Sequence, residues 1–243
     1  MSIDRSATEQ IAGNIADVRD RIRAACERVG RDHDEVRLLP VSKTQPVSAL
    51  LAAQAAGCDR FGENRVQEIV AKSSELGSGS GIEFALIGPL QSNKAGRTAE
   101  LAVEFQALES LKVAAALDRR LQELGRSLEV LVEVNTSGEA SKFGLAPEQV
   151  LAFAAELGAY DSLNVRGLMT IAAPGPDMTR VAACFELLRG LRARLRDDQV
   201  AGCLWPELSM GMSGDFELAI EHGSTCVRVG TAIFGGRPPA GGG

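Results

Sequence analysis

Histidine is scarce in this chain, with only His33 and His222 among 243 residues. The five cysteines (Cys26, Cys58, Cys184, Cys203, Cys226) are scattered and form no C-x-x-C pair, so zinc has almost no ligand set. They read as reduced thiols, mostly small core residues, and the expected compartment is the cytoplasm. Aromatic residues make up 4%, with one tryptophan and one tyrosine, which is little material for stacking bases. Clusters of lysine and arginine are missing as well. With 32 acidic against 26 basic residues the formal charge is −6, and nucleic acid, which needs a basic footprint, is excluded as a partner. No apolar run approaches the roughly 18 residues of a membrane-spanning helix. The opening MSIDRSATEQ is polar and has no apolar segment of the kind found in signal peptides.

What is present is an ordinary globular balance, 45% hydrophobic and 24% charged, in a chain long enough to bury a core without staples. Ile11, Ile15, Val18, Ile22 and Val29 recur at helical spacing and predict a first helix of about 20 residues, stopped by Gly30. From there the chain alternates. Apolar runs at 36–42, 58–61, 84–88, 105–108, 128–134, 165–171, 208–212 and 225–234 read as buried strands. Amphipathic stretches at 46–56, 64–76, 92–103, 111–125, 147–158, 178–197 and 214–222 read as helices; in the sixth, Val181, Cys184, Phe185, Leu188, Leu191 and Leu195 share one side. Strands separated by helices pair in parallel, because parallel neighbours need crossover connections. An open doubly wound sheet and a closed barrel both satisfy this; about eight units in roughly 200 residues favour the barrel. The expected architecture is therefore a single-domain (β/α)8 TIM barrel over residues 1–235 with an extra N-terminal helix. The tail 236–243 (GRPPAGGG) is expected to be disordered.

Functional groups of such barrels sit at the C-terminal ends of the strands and in the loops beyond them. Lys43 ends the first predicted strand. A lysine there points toward the mouth, and since desolvation disfavours an ammonium charge, such a site suits Schiff-base chemistry. A solvated loop lysine is the alternative. The loops after the last two strands carry Ser213, placed at the N-cap of the next predicted helix, and Gly230 and Thr231. Loops seven and eight often form barrel phosphate sites from small residues, hydroxyls and a helix N-terminus. Ordinary caps and turns would use the same residues. Arg228, within the eighth strand, faces either a ligand or a structural carboxylate. Three apparent motifs fail. Gly77–Gly81 precedes a strand and is no dinucleotide loop. The run from Gly211 to Asp215 misses the final glycine of a nucleophile elbow, and there is no Walker A sequence.

The segments VSKTQP (41–46), RFGENRVQE (60–68), IGPLQSNK (87–94), VNTSGEASKFGL (134–145), GLMTI (167–171), LSMGMSGD (208–215) and GSTCVRVGTAIFG (223–235) follow one another in order. Through them the chain resembles the pyridoxal phosphate homeostasis protein family across nearly its whole length. The resemblance implies a barrel of pyridoxal 5′-phosphate (PLP) fold type III, similar to the N-terminal domain of alanine racemase. It implies Lys43 as the Schiff-base lysine, Ser213, Gly230 and Thr231 as phosphate binders, Arg228 as partner of the pyridine nitrogen, and Asn64 near the cofactor. Lys142 matches a further family lysine. Gln45 stands where a second lysine is frequent, and Ala85 where histidine is common.

That resemblance implies a PLP-binding protein that supports vitamin B6 and amino-acid homeostasis and carries no catalytic residue. Its partners would be PLP and PLP-dependent apo-enzymes as recipients, and the chain is expected to be a monomer. The alternative is a PLP enzyme such as a racemase, which needs bases on both faces of the substrate carbanion. The one tyrosine, Tyr160, is predicted on the far side from the mouth, and no second domain is expected to supply another. An unrelated barrel enzyme for a phosphorylated metabolite would lack the visible colour of a lysine-bound cofactor.

Overall fold

Eight short strands, most of them with both faces buried, line up in parallel because a helix follows each and returns the chain to the same end. They are β1 (Arg37–Pro40), β2 (Arg60–Glu63), β3 (Glu83–Leu86), β4 (Ala102–Leu108), β5 (Leu128–Glu133), β6 (Leu163–Met169), β7 (Glu207–Ser209) and β8 (Cys226–Val229). The computed structural model describes residues 5–139, 142–173 and 175–236. The sheet order is β1-β8-β7-β6-β5-β4-β3-β2. Between β1 and β2 the barrel closes on a single bridge, Val41 with Gly62, where Ser42 N donates to Gly62 O at 3.0 Å. This is the expected barrel. Residues 237–243 of the predicted tail lie outside the described part.

The helices are α1 (Arg5–Arg28), α2 (Val47–Ala55), α3 (Val66–Leu76), α4 (Ala95–Leu101), α5 (Leu111–Leu124), α6 (Val150–Glu156), α7 (Met178–Asp197), α8 (Phe216–Glu221) and α9 (Thr231–Phe234). The six predicted apolar positions of α7 are all buried. The extra helix α1 packs across α2, α8 and α9, burying Ile15, Val18 and Ile22 over the seam where the first and last strands meet. Each such fully buried aliphatic side chain contributes on the order of 2 kcal/mol. Among the described residues no helix is long and apolar enough to cross a membrane.

Four local expectations need correction. Val29 is 40% exposed, because α1 ends at Arg28 and Gly30 turns the chain at φ 67°. The predicted helix 92–103 gives way at Ala102 to β4; no glycine or proline marks the change, so periodicity alone misplaces it. The eighth strand stops at Val229, and Thr231–Phe234 coils into α9, whose Ile233 O accepts from Asn14 Nδ2 of α1 at 2.7 Å. Ser213 is not a helix N-cap: that place belongs to Asp215, whose Oδ1 accepts from Met212 N at 2.6 Å across the loop.

Inside the barrel the side chains form storeys. At the N-terminal end Arg37 chelates Glu104 (3.0 and 2.8 Å) and reaches Glu207 (3.2 Å), while Arg60 joins Glu104 (3.0 Å) to Glu129 (2.8 Å). Burial alone would raise the Glu104 carboxyl, but Arg37 and then Arg60 outweigh it and hold the group below its usual range. This ionic floor closes one end. Above it Leu39, Ala85 and Cys226 pack together, with Ile87 against them. The other end, at the C-terminal ends of the strands, carries the loops.

Candidate functional site

β1 presents Arg37, Leu39 and Val41 to the lumen in alternate positions, and Lys43 continues that row beyond the strand. Lys43 is half-buried, and no described residue hydrogen-bonds or ion-pairs with its amine. The next residue, Thr44, has φ 64°, a left-handed conformation that costs a β-branched side chain about 1–3 kcal/mol. Its amide donates to Glu68 Oε2 at 2.8 Å.

The neighbouring strand brings the second group of predicted residues alongside. Register pairs Leu39 with Arg228 and Pro40 with Val229, and Val41 N donates to Val229 O at 2.9 Å, so Gly230 lies beside Val41. A Cβ at Gly230 would stand 3.2 Å from Val41 O and 3.5 Å from Val41 Cβ, which leaves the loop little tolerance for a side chain. Ser213 is drawn to the same spot from the loop after β7. Its Oγ accepts from Gly230 N at 3.3 Å and Ala232 N at 3.4 Å, two long bonds from amides at the start of α9. Gly211, at φ 94°, lets that loop turn tightly, since a Cβ there would sit 2.6 Å from Ala219 Cβ. Ser213, Gly230 and the exposed Thr231 thus form a cup of amide and hydroxyl donors suited to an anion.

Arg228 is 4% exposed and reaches into the lumen. Its Nη1 donates to Ser209 Oγ at 2.6 Å and its Nη2 to Thr170 O at 2.7 Å, using two of its five N–H groups. Burial pushes this guanidinium below its ordinary value, a shift that the negative charges around it oppose. Asn64 follows β2 and lines a cavity of about 870 Å³ with Arg65, Glu68, Gln91, Lys94 and Phe143. Lys43, Ser213, Gly230 and Thr231 are not among the residues that line that cavity. Lys142 donates to Ala172 O at 2.9 Å and pairs with Glu139 at 3.8 Å. Gln45 lies in the turn after Lys43, its amide bonded to Ser42 O at 2.9 Å, and Ala85 is fully buried in the lumen. Tyr160 precedes β6 at the N-terminal end of the barrel and packs against the core, on the far side from the mouth.

Two carboxyls at this end were not expected. Glu133, at the end of β5, is 5% exposed, and its Oε2 is buried without a hydrogen-bond partner. Burial first, then the nearby Glu109, pushes its carboxyl up to about 7, against the pull of Arg228. Glu63, at the end of β2, accepts from Lys72 Nζ at 2.5 Å and Ser42 Oγ at 2.7 Å. Burial raises this carboxyl to about 7 in spite of those bonds. Both left a trace in the sequence: Glu133 interrupts an apolar strand, and Lys72 continues the buried stripe of Val66 and Ile69 at helical spacing.

The geometry therefore offers an unpartnered amine two residues beyond Val41, an anion cup whose Gly230 lies beside Val41, a buried guanidinium in the lumen, and an orphaned carboxyl oxygen on Glu133. Such a donor set fits a phosphorylated aldehyde.

The alanine racemase N-terminal domain family matches residues 14–238. The pyridoxal phosphate homeostasis protein of Escherichia coli K12 is 44% identical over 231 residues, covering 93% of this chain and 97% of that protein. PipY of Synechococcus elongatus PCC7942, solved with PLP bound, superposes with a TM-score of 0.82 at 37% identity, over 93% of this chain and all of that one. An alanine racemase of Clostridium difficile 630 shares the fold (TM-score 0.73) at 15% identity, over 96% of this chain and 58% of its own. The chain belongs to the pyridoxal phosphate homeostasis protein family, built on the alanine racemase N-terminal barrel.

Proposed function

We propose that this protein binds PLP at the mouth of the barrel, with Lys43 as its covalent anchor, and serves PLP homeostasis by holding and releasing the cofactor to PLP-dependent apo-enzymes. PLP supplies an aldehyde that condenses with an amine with loss of one water. What supports the assignment is that Lys43 follows two residues after Val41, the neighbour of Gly230 in the group formed with Ser213 and Thr231, in a chain whose relative PipY was solved with PLP bound. In this reading the cup's amides and hydroxyls bind the phosphate, whose negative charge suits converging N–H groups. Arg228 faces the ring nitrogen. A guanidinium keeps its protons even where burial lowers its pKa, so it donates a hydrogen bond and leaves that nitrogen unprotonated, which weakens the ring as an electron sink. Asn64 flanks the site from the loop after β2.

The same reading makes the protein a carrier and not a catalyst. Racemisation requires bases on both faces of the substrate, and Tyr160 is held at the opposite end of the barrel.

The direct test is an absorption spectrum of purified protein with added PLP, followed by borohydride reduction and peptide mapping. Lys43 should carry the reduced adduct, and Lys43→Ala should lose the visible band while keeping phosphate-anchored binding. An adduct of undiminished yield on Lys94 or Lys142 in that variant would sink the assignment.

A further inference from the structure

Helix α3 and the end of β2 grip the chain on both sides of Lys43. On one side, Lys72 Nζ donates to Ser42 O at 2.7 Å and to Glu63 Oε1 at 2.5 Å, and Ser42 Oγ donates to the same Glu63 oxygen at 2.7 Å. On the other, Thr44 N donates to Glu68 Oε2 at 2.8 Å, and Glu68 in turn stands 3.9 Å from Lys72. Glu63 is fully buried and the Lys72 side chain is 9% exposed, so this is an ion pair taken out of water between the strand and helix layers. Such pairs are weak evidence of stabilisation, because desolvation offsets much of the attraction. A simple apolar contact would pack α3 against β2 at least as well. What the ion pair does instead is direct: it fixes the carbonyl and hydroxyl of the residue before Lys43.

The residue after Lys43 is held against its own preference. Thr44 at φ 64° persists only where surrounding bonds over-determine it, and its amide has one such bond, to Glu68. We infer that Glu68, Lys72 and Glu63 are positioning residues for Lys43, clamping its two neighbours so that its amine stays on the lumen side beside Gly230. This rests on the reading of Lys43 as the cofactor's anchor. It also links the anchor to the cavity beside it, because the first turn of α3 both lines that cavity and supplies Glu68.

The test uses the full chain and three readouts: amide hydrogen exchange at Thr44 without cofactor, PLP affinity, and the yield of borohydride-trapped Lys43 adduct. Glu68 is 26% exposed on its side chain, so Glu68→Ala should fold. We expect it to speed exchange at Thr44 and to weaken PLP binding by about tenfold, the scale set by losing support for one strained residue. Glu68→Gln keeps an acceptor for the Thr44 amide and should stay near the unmodified protein. Adding Thr44→Gly to Glu68→Ala should recover part of the affinity, since glycine adopts positive φ freely. A purely structural role for Glu68 would lower the melting temperature and leave affinity and trapping untouched. Unchanged PLP affinity in Glu68→Ala despite faster exchange at Thr44, or no recovery with Thr44→Gly, overturns the inference. Loss of the Lys43 reading would show separately, as an undiminished adduct in Lys43→Ala.

Discussion

Arg228 donates to Ser209 at 2.6 Å, and that contact is the top of a chain that runs down the lumen. Ser209 Oγ donates to Gln106 Oε1 at 2.6 Å, and Gln106 Nε2 donates to Glu104 Oε1 at 2.6 Å. Glu104 is a carboxylate held by Arg37 and Arg60, so it only accepts. Every direction above it follows: the Gln106 amide nitrogen faces down, its oxygen faces Ser209, and the Ser209 lone pair is left for Arg228. The ionic floor of the barrel thereby sets the guanidinium at the mouth.

Gln106→Leu should therefore disturb Arg228 from a distance. Ser209 and Glu104 each lose a partner in a buried place, at a cost of about 1–3 kcal/mol in a denaturant titration. If Arg228 faces the ring nitrogen as proposed, the absorption maximum of bound PLP should move, because Ser209 loses the partner that orients its hydroxyl toward Arg228 and only the bond to Thr170 O is left undisturbed. A destabilised variant with an unshifted spectrum would mean that Arg228 keeps its position without the chain.

Gly230→Val places a branched side chain where Val41 O is already 3.2 Å from a single Cβ. The Gly230 and Ala232 amides must then move out of the cup. PLP affinity is expected to fall at least about tenfold more than pyridoxal affinity, since only PLP carries the phosphate. Parallel losses for both ligands, read by fluorescence titration, would place the phosphate elsewhere.

Glu133 predicts a pH effect whose sign is fixed by its environment. Its folded pKa, about 7, lies above the ordinary value near 4.3 because burial disfavours the charge. The folded state then holds the proton more tightly than the unfolded one. Stability falls as pH rises from about 4.3 to about 7 and is level beyond. Glu133→Gln removes this penalty. In cofactor-free protein it should match the unmodified chain near pH 4 and exceed it by about 3–4 kcal/mol at pH 8. A gain independent of pH would show that the carboxyl is not the cause.

Incubation with L-alanine in deuterated water should give no exchange at the α-carbon at enzyme-like rates. The assay also examines Glu133, a protonatable group that burial leaves without a hydrogen-bond partner and whose charge is felt by Arg228. Turnover-level exchange lost in both Lys43→Ala and Glu133→Gln would identify a second base and make the protein an enzyme.

The alternation of apolar runs and amphipathic helices was enough to read a parallel barrel, because a crossover helix returns each strand to the same end. The position of Lys43 and of the loops carrying Ser213, Gly230 and Thr231 followed from that topology. Family segments supplied the roles proposed for them. These are local signals: period, turn residues and order along the chain. The boundaries that went astray, at Ala102 and after Val229, lie where no glycine or proline breaks the pattern or where packing against α1 decides the conformation.

The remaining features depend on which residues the closed barrel sets opposite each other. Gln106 meets Ser209 across 103 residues of sequence, and Arg228 reaches Thr170 across 58. Lys72 finds Ser42 because α3, packed over β2 and β3, brings its amine to the carbonyl that follows β1, and Glu133 loses its partners because the barrel shuts around it. Hydrogen-bond direction and desolvation depend on distances of a few ångströms between such residues, and only strand register and closure determine those distances.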